Sequence, residues 1–114
     1  MNRLLKRRVA IARKRDEWFT MTQQPTQWYV YILKCADASL YTGITTDITR
    51  RVNEHNTSKK GAKYTASKRP VELVAYIKVT SRSEALKLEY KIKQKKKKKK
   101  IKYLLSKGGQ LNES

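Results

Sequence analysis

Trp28-Tyr29-Val30-Tyr31-Ile32-Leu33 is a β-branched and aromatic run, and Leu40-Tyr41-Thr42-Gly43-Ile44 repeats its character a few residues later. Such residues suit a pleated, half-buried surface, so both segments are predicted as strands. Asp37-Ala38-Ser39 between them reads as a tight connection, making the pair a β-hairpin. Side chains alternate along a strand, so Tyr31 and Tyr41 share a face when the connection has an odd number of residues, which a three-residue loop satisfies. Gly43 then falls on the same face and leaves it bare, where a phosphate or a backbone can approach closely. Taken alone, the two tyrosines read as ordinary strand residues.

Downstream, Thr46 or Asp47 can cap a helix running to about His55, with Ile48 and Val52 as its inner face. Arg51 and His55 are four residues apart and therefore stack on one side of that helix. A guanidinium can fork onto phosphate oxygens and an imidazole can exchange a proton near neutral pH. The plain alternative is a solvated face in which Arg50 and Arg51 sit beside Glu54. The polar connection over 56–70 carries Lys59, Lys60, Lys63, Lys68 and Arg69, cations suited to tracking a nucleic-acid backbone with strong salt dependence. Val71 to Ile77 is predicted as a third strand.

Ser81 with Glu84 three residues on is a capping-box signature, opening a helix through Leu86, Leu88 and Ile92. Ala85, Leu88, Glu89 and Ile92 follow helical spacing, which puts Glu89 within the core-facing stripe. A carboxylate there is costly unless it is paired or bound to a cation. The readings are a salt bridge, a rim position reaching solvent, or a metal ligand or general base. Beyond the Lys95 to Lys100 run, Ile101, Tyr103, Leu104 and Leu105 predict one more helix, stopped by Gly108-Gly109. The expected fold is α/β: a small three-stranded mixed β-sheet flanked by helices, in the order β-β-α-β-α with a further C-terminal helix.

The chain has 114 residues, with 28 Lys plus Arg against 9 Asp plus Glu and a formal net charge of +19, which makes a polyanion the first partner to consider. At 39% apolar and 32% charged residues the core must be economical. The expected organisation is a basic N-terminal appendage over 1–26, a domain over 27–94, and a lysine-rich helix and tail over 95–114. Met21, just upstream of the first strand, is an alternative start. No apolar run approaches the ~20 residues of a membrane-spanning helix, and the first twenty residues lack a secretory core of about 7 apolar residues. One Cys and one His form neither an internal disulfide nor a zinc cage, so a reducing cytoplasm is the expected location.

From Trp28 to about Gln94 the chain resembles the GIY-YIG nuclease superfamily, particularly its small stand-alone bacterial members. The resemblance rests on Tyr29-Val30-Tyr31, Tyr41-Thr42-Gly43, Arg51, His55 and the Glu89 helix, together with Lys60-Gly61-Ala62-Lys63-Tyr64-Thr65 and Arg69-Pro70-Val71-Glu72-Leu73. By position, Tyr31 and Tyr41 match the motif tyrosines, Gly43 its glycine, Arg51 its helix arginine and Glu89 its metal-binding glutamate. His55 falls one turn after the arginine, where the superfamily often has a tyrosine or histidine. Tyr29 replaces the glycine opening the first motif, and Ile44 stands where some relatives carry a lysine.

What the resemblance implies is metal-dependent endonucleolytic hydrolysis of DNA, in repair, recombination or processing, with structure-selective or weak activity given those departures. Arg51 and one divalent cation on Glu89 would offset the charge that builds on the phosphate oxygens. Mg²⁺, or Mn²⁺ in its place, suits a site with a single carboxylate. Tyr41 would accept the proton of the attacking water, with His55 as the alternative base, while Tyr31 orients nucleophile or phosphate. Gly43 and the cations Lys59, Lys60, Lys63, Lys68 and Arg69 would meet the substrate. The rival reading is a noncatalytic basic protein that binds DNA or RNA and keeps the fold; the oligomeric state is left open.

Overall fold

The structure, a computed structural model, describes residues 27–113. The expectations for the 1–26 appendage and for Met21 lie outside the described residues. The elements are β1 (Trp28–Lys34), β2 (Leu40–Thr45), α1 (Ile48–Thr57), α2 (Lys63–Ala66), β3 (Glu72–Val79), α3 (Arg82–Lys93), α4 (Lys97–Ser106) and β4 (Gln110–Leu111).

The α/β class is as expected, but the sheet differs in two respects. It has four strands in the order β2-β1-β3-β4, and every neighbouring pair is antiparallel rather than mixed. The connection through α1 and α2 returns the chain to the free side of β1, so β2 and β3 run the same way without touching. A mixed sheet would need them adjacent. The fourth strand is too short to leave a hydrophobic period; Gly108, at φ +101°, turns the chain after α4 and lays Gln110 and Leu111 beside β3.

The hairpin has the predicted parity, with Tyr31 opposite Gly43 and Leu33 opposite Tyr41. Its tip is one residue earlier than expected. The Cys35 amide donates to the Ser39 carbonyl at 2.9 Å, leaving Ala36, Asp37 and Ala38 as the loop, with Ala38 at φ 69°. Asp47 caps α1 by accepting from the Arg50 amide at 3.0 Å. Ser81 caps α3 by accepting from the Glu84 amide at 3.1 Å, while Glu84 accepts in return from the Thr80 amide, also at 3.1 Å.

The sheet separates two cores. On one side Val30, Ile32, Ala75 and Ile77 pack with Ala85 and Ile92 of α3 and Leu104 of α4. On the other, Tyr31, Leu33, Cys35 and Val71 pack with Tyr41, Val52, Leu73 and Tyr76, so α1 lies over that face. Asn56 ties α1 to the start of β3, donating to the Val71 carbonyl at 2.9 Å and accepting from its amide at 2.7 Å.

The packed body does not stop at Gln94. Leu104 is fully buried, and the Lys100 ammonium donates to the Ile92 and Lys93 carbonyls at the end of α3, at 3.3 and 3.2 Å. Helix α4 is therefore part of the same unit as the sheet. Leu104→Ala is expected to destabilise the fold by about 2–5 kcal/mol, read by denaturant unfolding; a loss below about 1 kcal/mol would mean α4 only rests on the surface.

Candidate active site

Tyr31 stands on central strand β1 and points toward α1. A Cβ at Gly43, its cross-strand partner, would fall 2.5 Å from the Tyr31 hydroxyl oxygen and 2.7 Å from Cζ. The phenol therefore lies across edge strand β2, in the space the missing side chain leaves. This corrects the expectation that Gly43 leaves room for substrate: its room is filled by Tyr31. Tyr41, on the same face, has its ring centroid 6.4 Å from that of Tyr31.

His55, one turn beyond Arg51 on α1, is fully buried, and its Nε2 is 2.9 Å from the Tyr31 hydroxyl. Its Nδ1 receives the Ala62 amide at 3.3 Å and lies 2.9 Å from the Thr65 hydroxyl, itself bonded to the Ala62 carbonyl. The Ala62 amide calls for a lone pair on Nδ1, while the Thr65 hydroxyl, its one proton given to the Ala62 carbonyl, calls for a proton there, so these contacts do not select one tautomer. In either tautomer the Tyr31 hydroxyl is held by His55 Nε2. Burial, then the charge of Arg51, lowers the His55 pKa to about 4. Burial, then Tyr41, raises that of Tyr31 to about 12 against the opposing pull of Arg51. Near neutral pH both groups therefore stay neutral, and His55 holds the Tyr31 hydroxyl in place.

Arg51 reaches the same place from α1. Its Nη1 donates to Glu54 at 2.8 Å and to the Lys60 carbonyl at 2.7 Å, so the guanidinium is held by a local carboxylate and by the following loop. Glu54 also faces Arg50, at 3.8 Å. The solvated-face alternative thus fits Arg50, but Arg51 interacts with the Tyr31 hydroxyl.

Glu89 approaches from α3, across the sheet from α1. Its side chain is 18% exposed and pairs with Lys93 at 3.3 Å, and its charge is felt at the Tyr31 phenol. Among the described residues no three His, Cys, Asp or Glu side chains cluster as a metal cage. A single, partly accessible carboxylate fits a cation that keeps most of its water and takes further ligands from phosphate oxygens, as Mg²⁺ does.

The basic connection divides. Lys59, Lys60 and Lys63 are exposed. Lys68 is engaged by Asp37 at 2.9 Å. Arg69 donates to the His55 and Ser58 carbonyls through Nε and Nη2, closing the C-terminal end of α1, so it has a structural role beside the expected substrate contact. Sequence reading missed Thr65 and the Ala62 amide, although a buried imidazole requires two partners and a search of the following loop would have found Thr65. It also passed over Tyr64, which stacks on Tyr41 at 5.9 Å between centroids and has Lys68 over its ring at 4.8 Å.

The chain belongs to the GIY-YIG catalytic domain family, whose match runs over residues 27–102. Within it the chain is similar to UPF0213 proteins. It is 60% identical over 73 residues to that of Desulfotalea psychrophila, covering 64% of this chain and 66%, just under two-thirds, of that protein. With one from Staphylococcus epidermidis it shares 58% over 65 residues, covering 57% of this chain and 78% of the relative. It is also similar to the solution NMR structure of protein EF2693 from E. faecalis, 43% identical, with a TM-score of 0.51 and coverage of 72% of this chain and 86% of that one.

Proposed function

We propose that this protein is an endonuclease that hydrolyses DNA phosphodiester bonds with Mg²⁺ or Mn²⁺, acting in the cytoplasm in repair, recombination or DNA processing. One observation carries the reading: Tyr31, Tyr41, Arg51 and His55 meet on one face of the sheet. Glu89 is the residue that would hold the cation, which supplies Lewis-acid stabilisation of the developing phosphate charge.

The protein's own groups divide the remaining work. Arg51, fixed by Glu54 and the Lys60 carbonyl, faces the phosphate with a preorganised guanidinium. Tyr31 stays protonated and, held by its bond to His55, orients the nucleophile or the phosphate through its hydroxyl. Tyr41, as the phenolate that a bound cation would favour once its own proton has left to solvent, would receive the proton of the attacking water. Lys59, Lys60 and Lys63 extend the phosphate contact along the strand. Among the described residues no helix is long and apolar enough to cross a membrane.

The test is cleavage of labelled linear, flapped, branched and single-stranded DNA with Mg²⁺ or Mn²⁺ by wild type, Tyr41→Phe, Arg51→Ala and Glu89→Ala. Cleavage lost in the variants with binding retained is the expected result. Binding without cleavage by the wild type on every substrate would favour the noncatalytic DNA- or RNA-binding reading.

A further inference from the structure

Helix α4 begins against its own electrostatics. A helix N-terminus carries partial positive charge and favours acidic neighbours, yet Lys96 sits at the cap without a side-chain capping bond and the first turn holds no acid. Lys97, Lys98 and Lys99 follow at once. A local arrangement that works against folding is where a functional constraint is to be sought.

A second feature lies along the same helix. Lys99, Lys102, Tyr103 and Ser106 follow the i, i+3, i+4, i+7 spacing of one helix face, and with Lys95 they line a groove of about 330 Å³. The Lys95 ammonium lies 4.5 Å from the Tyr103 ring centroid and that of Lys107 lies 5.3 Å from it, so cations converge on the ring from both ends of α4. Among the described residues none of Lys95, Lys99, Lys102 and Lys107 pairs with a carboxylate. Lys100 is different, since its ammonium is spent on α3.

We infer that this groove is a second nucleic-acid site, binding two or three consecutive backbone phosphates through Lys95, Lys99, Lys102 and Lys107 with Tyr103 as its floor. The face spans about 10 Å at the helical rise, a length that fits a short run of phosphates rather than one isolated ion. An anion beside Lys95 also supplies the negative charge the start of α4 lacks. The groove is a different surface from the one Tyr31 occupies, because α4 packs on β3, β4 and α3 whereas Tyr31 leans over β2 beneath α1. It therefore contributes affinity without entering the reaction. It rests on the reading of the protein as one that acts on nucleic acid.

The experiment measures binding of a labelled DNA duplex without Mg²⁺ across a salt series, for the full chain and for Lys95→Gln/Lys99→Gln/Lys102→Gln. A charge-matched control carries Lys34→Gln/Lys78→Gln/Lys87→Gln, exposed lysines elsewhere on the surface. Each lost phosphate contact lowers the slope of log affinity against log salt by about 0.9, so the groove variant should lose roughly two to three units and the control less than about one. In Mg²⁺, cleavage at saturating DNA should be unchanged in the groove variant, with the loss confined to KM. Equal slope changes in the two variants, or none in the groove variant, would overturn the inference. Polyglutamate bound as tightly as DNA, and lost in the same variant, would reassign the groove to an acidic protein and also overturn it. Should the wild type cleave nothing, the nuclease reading fails while the salt slopes still decide the groove.

Discussion

Gly43→Ala is expected to lower DNA cleavage by at least about 100-fold while leaving a folded protein. The new methyl group would stand 2.5 Å from the Tyr31 hydroxyl oxygen, 2.7 Å from Cζ and 3.1 Å from Cε2, well inside contact distance. The phenol cannot slide aside cheaply, because Tyr31 is 1% exposed and its hydroxyl is bonded to His55 at 2.9 Å. It must tip off β2, breaking that bond. Overpacking of this kind costs about 1–3 kcal/mol, and displacement of a reacting group by about 1 Å can cost 100-fold in rate. Single-turnover cleavage beside denaturant unfolding separates the two effects. A variant that cleaves like wild type would show that the position of the Tyr31 hydroxyl is immaterial to the reaction.

The second large effect is a loss of stability on mild acidification, carried by His55. Its folded pKa is about 4, lowered by burial and then by Arg51, with Arg69 adding and Glu54 opposing. An unfolded histidine titrates near 6.5. Between those values the unfolded chain binds a proton that the native chain refuses, so stability must fall as pH drops from about 6.5 to about 4. The integrated loss is on the order of 3 kcal/mol. Asp37, Glu54 and Glu84 are held below the usual carboxylate range, Asp37 and Glu84 by hydroxyl bonds from Ser39 and Thr80 first and Glu54 by Arg51. They act only below the window of His55. At the other extreme, Tyr31 at about 12 makes stability fall as pH rises past about 10, where an unfolded tyrosine ionises first. Unfolding of wild type and His55→Gln from pH 4 to 8, with the His55 ¹⁵N resonances followed alongside, checks the slope and shows which ring nitrogen carries the proton. An equal slope in His55→Gln would assign the acid sensitivity to other groups.

The parts of the site that were legible in the sequence are those set by local periodicity. Strand alternation put Tyr31 and Tyr41 on one face, and helical spacing put Arg51 and His55 one turn apart and Glu89 between Ala85 and Ile92. The use of the Gly43 space was not legible, since alternation gives the side a residue faces but not which neighbour fills a vacancy. Thr65 and the Ala62 amide were hidden because their partner is ten and seven residues away through a loop of irregular geometry. Arg69 shows the same limit. In sequence it was one more cation in a basic connection, whereas in space it faces two carbonyls at the end of α1. The expected mixed sheet failed for a topological reason, as hydrophobic pattern marks strands without fixing which side of β1 the third will join. The brief β4 depends wholly on Gly108 and on β3 being there to receive it.

Six identical letters, Lys95 to Lys100, end up with unlike occupations: Lys95 covers Tyr103, Lys96 precedes the first turn of α4, and Lys100 closes α3 just ahead of the buried Leu104. The tract is therefore a ruler. Gaining or losing one lysine, beyond what the turn at 94–96 can absorb, would rotate everything downstream by about 100°, carrying Leu104 out of the core and Lys100 away from its carbonyls. A repeat that carries no information in its order carries it in its length.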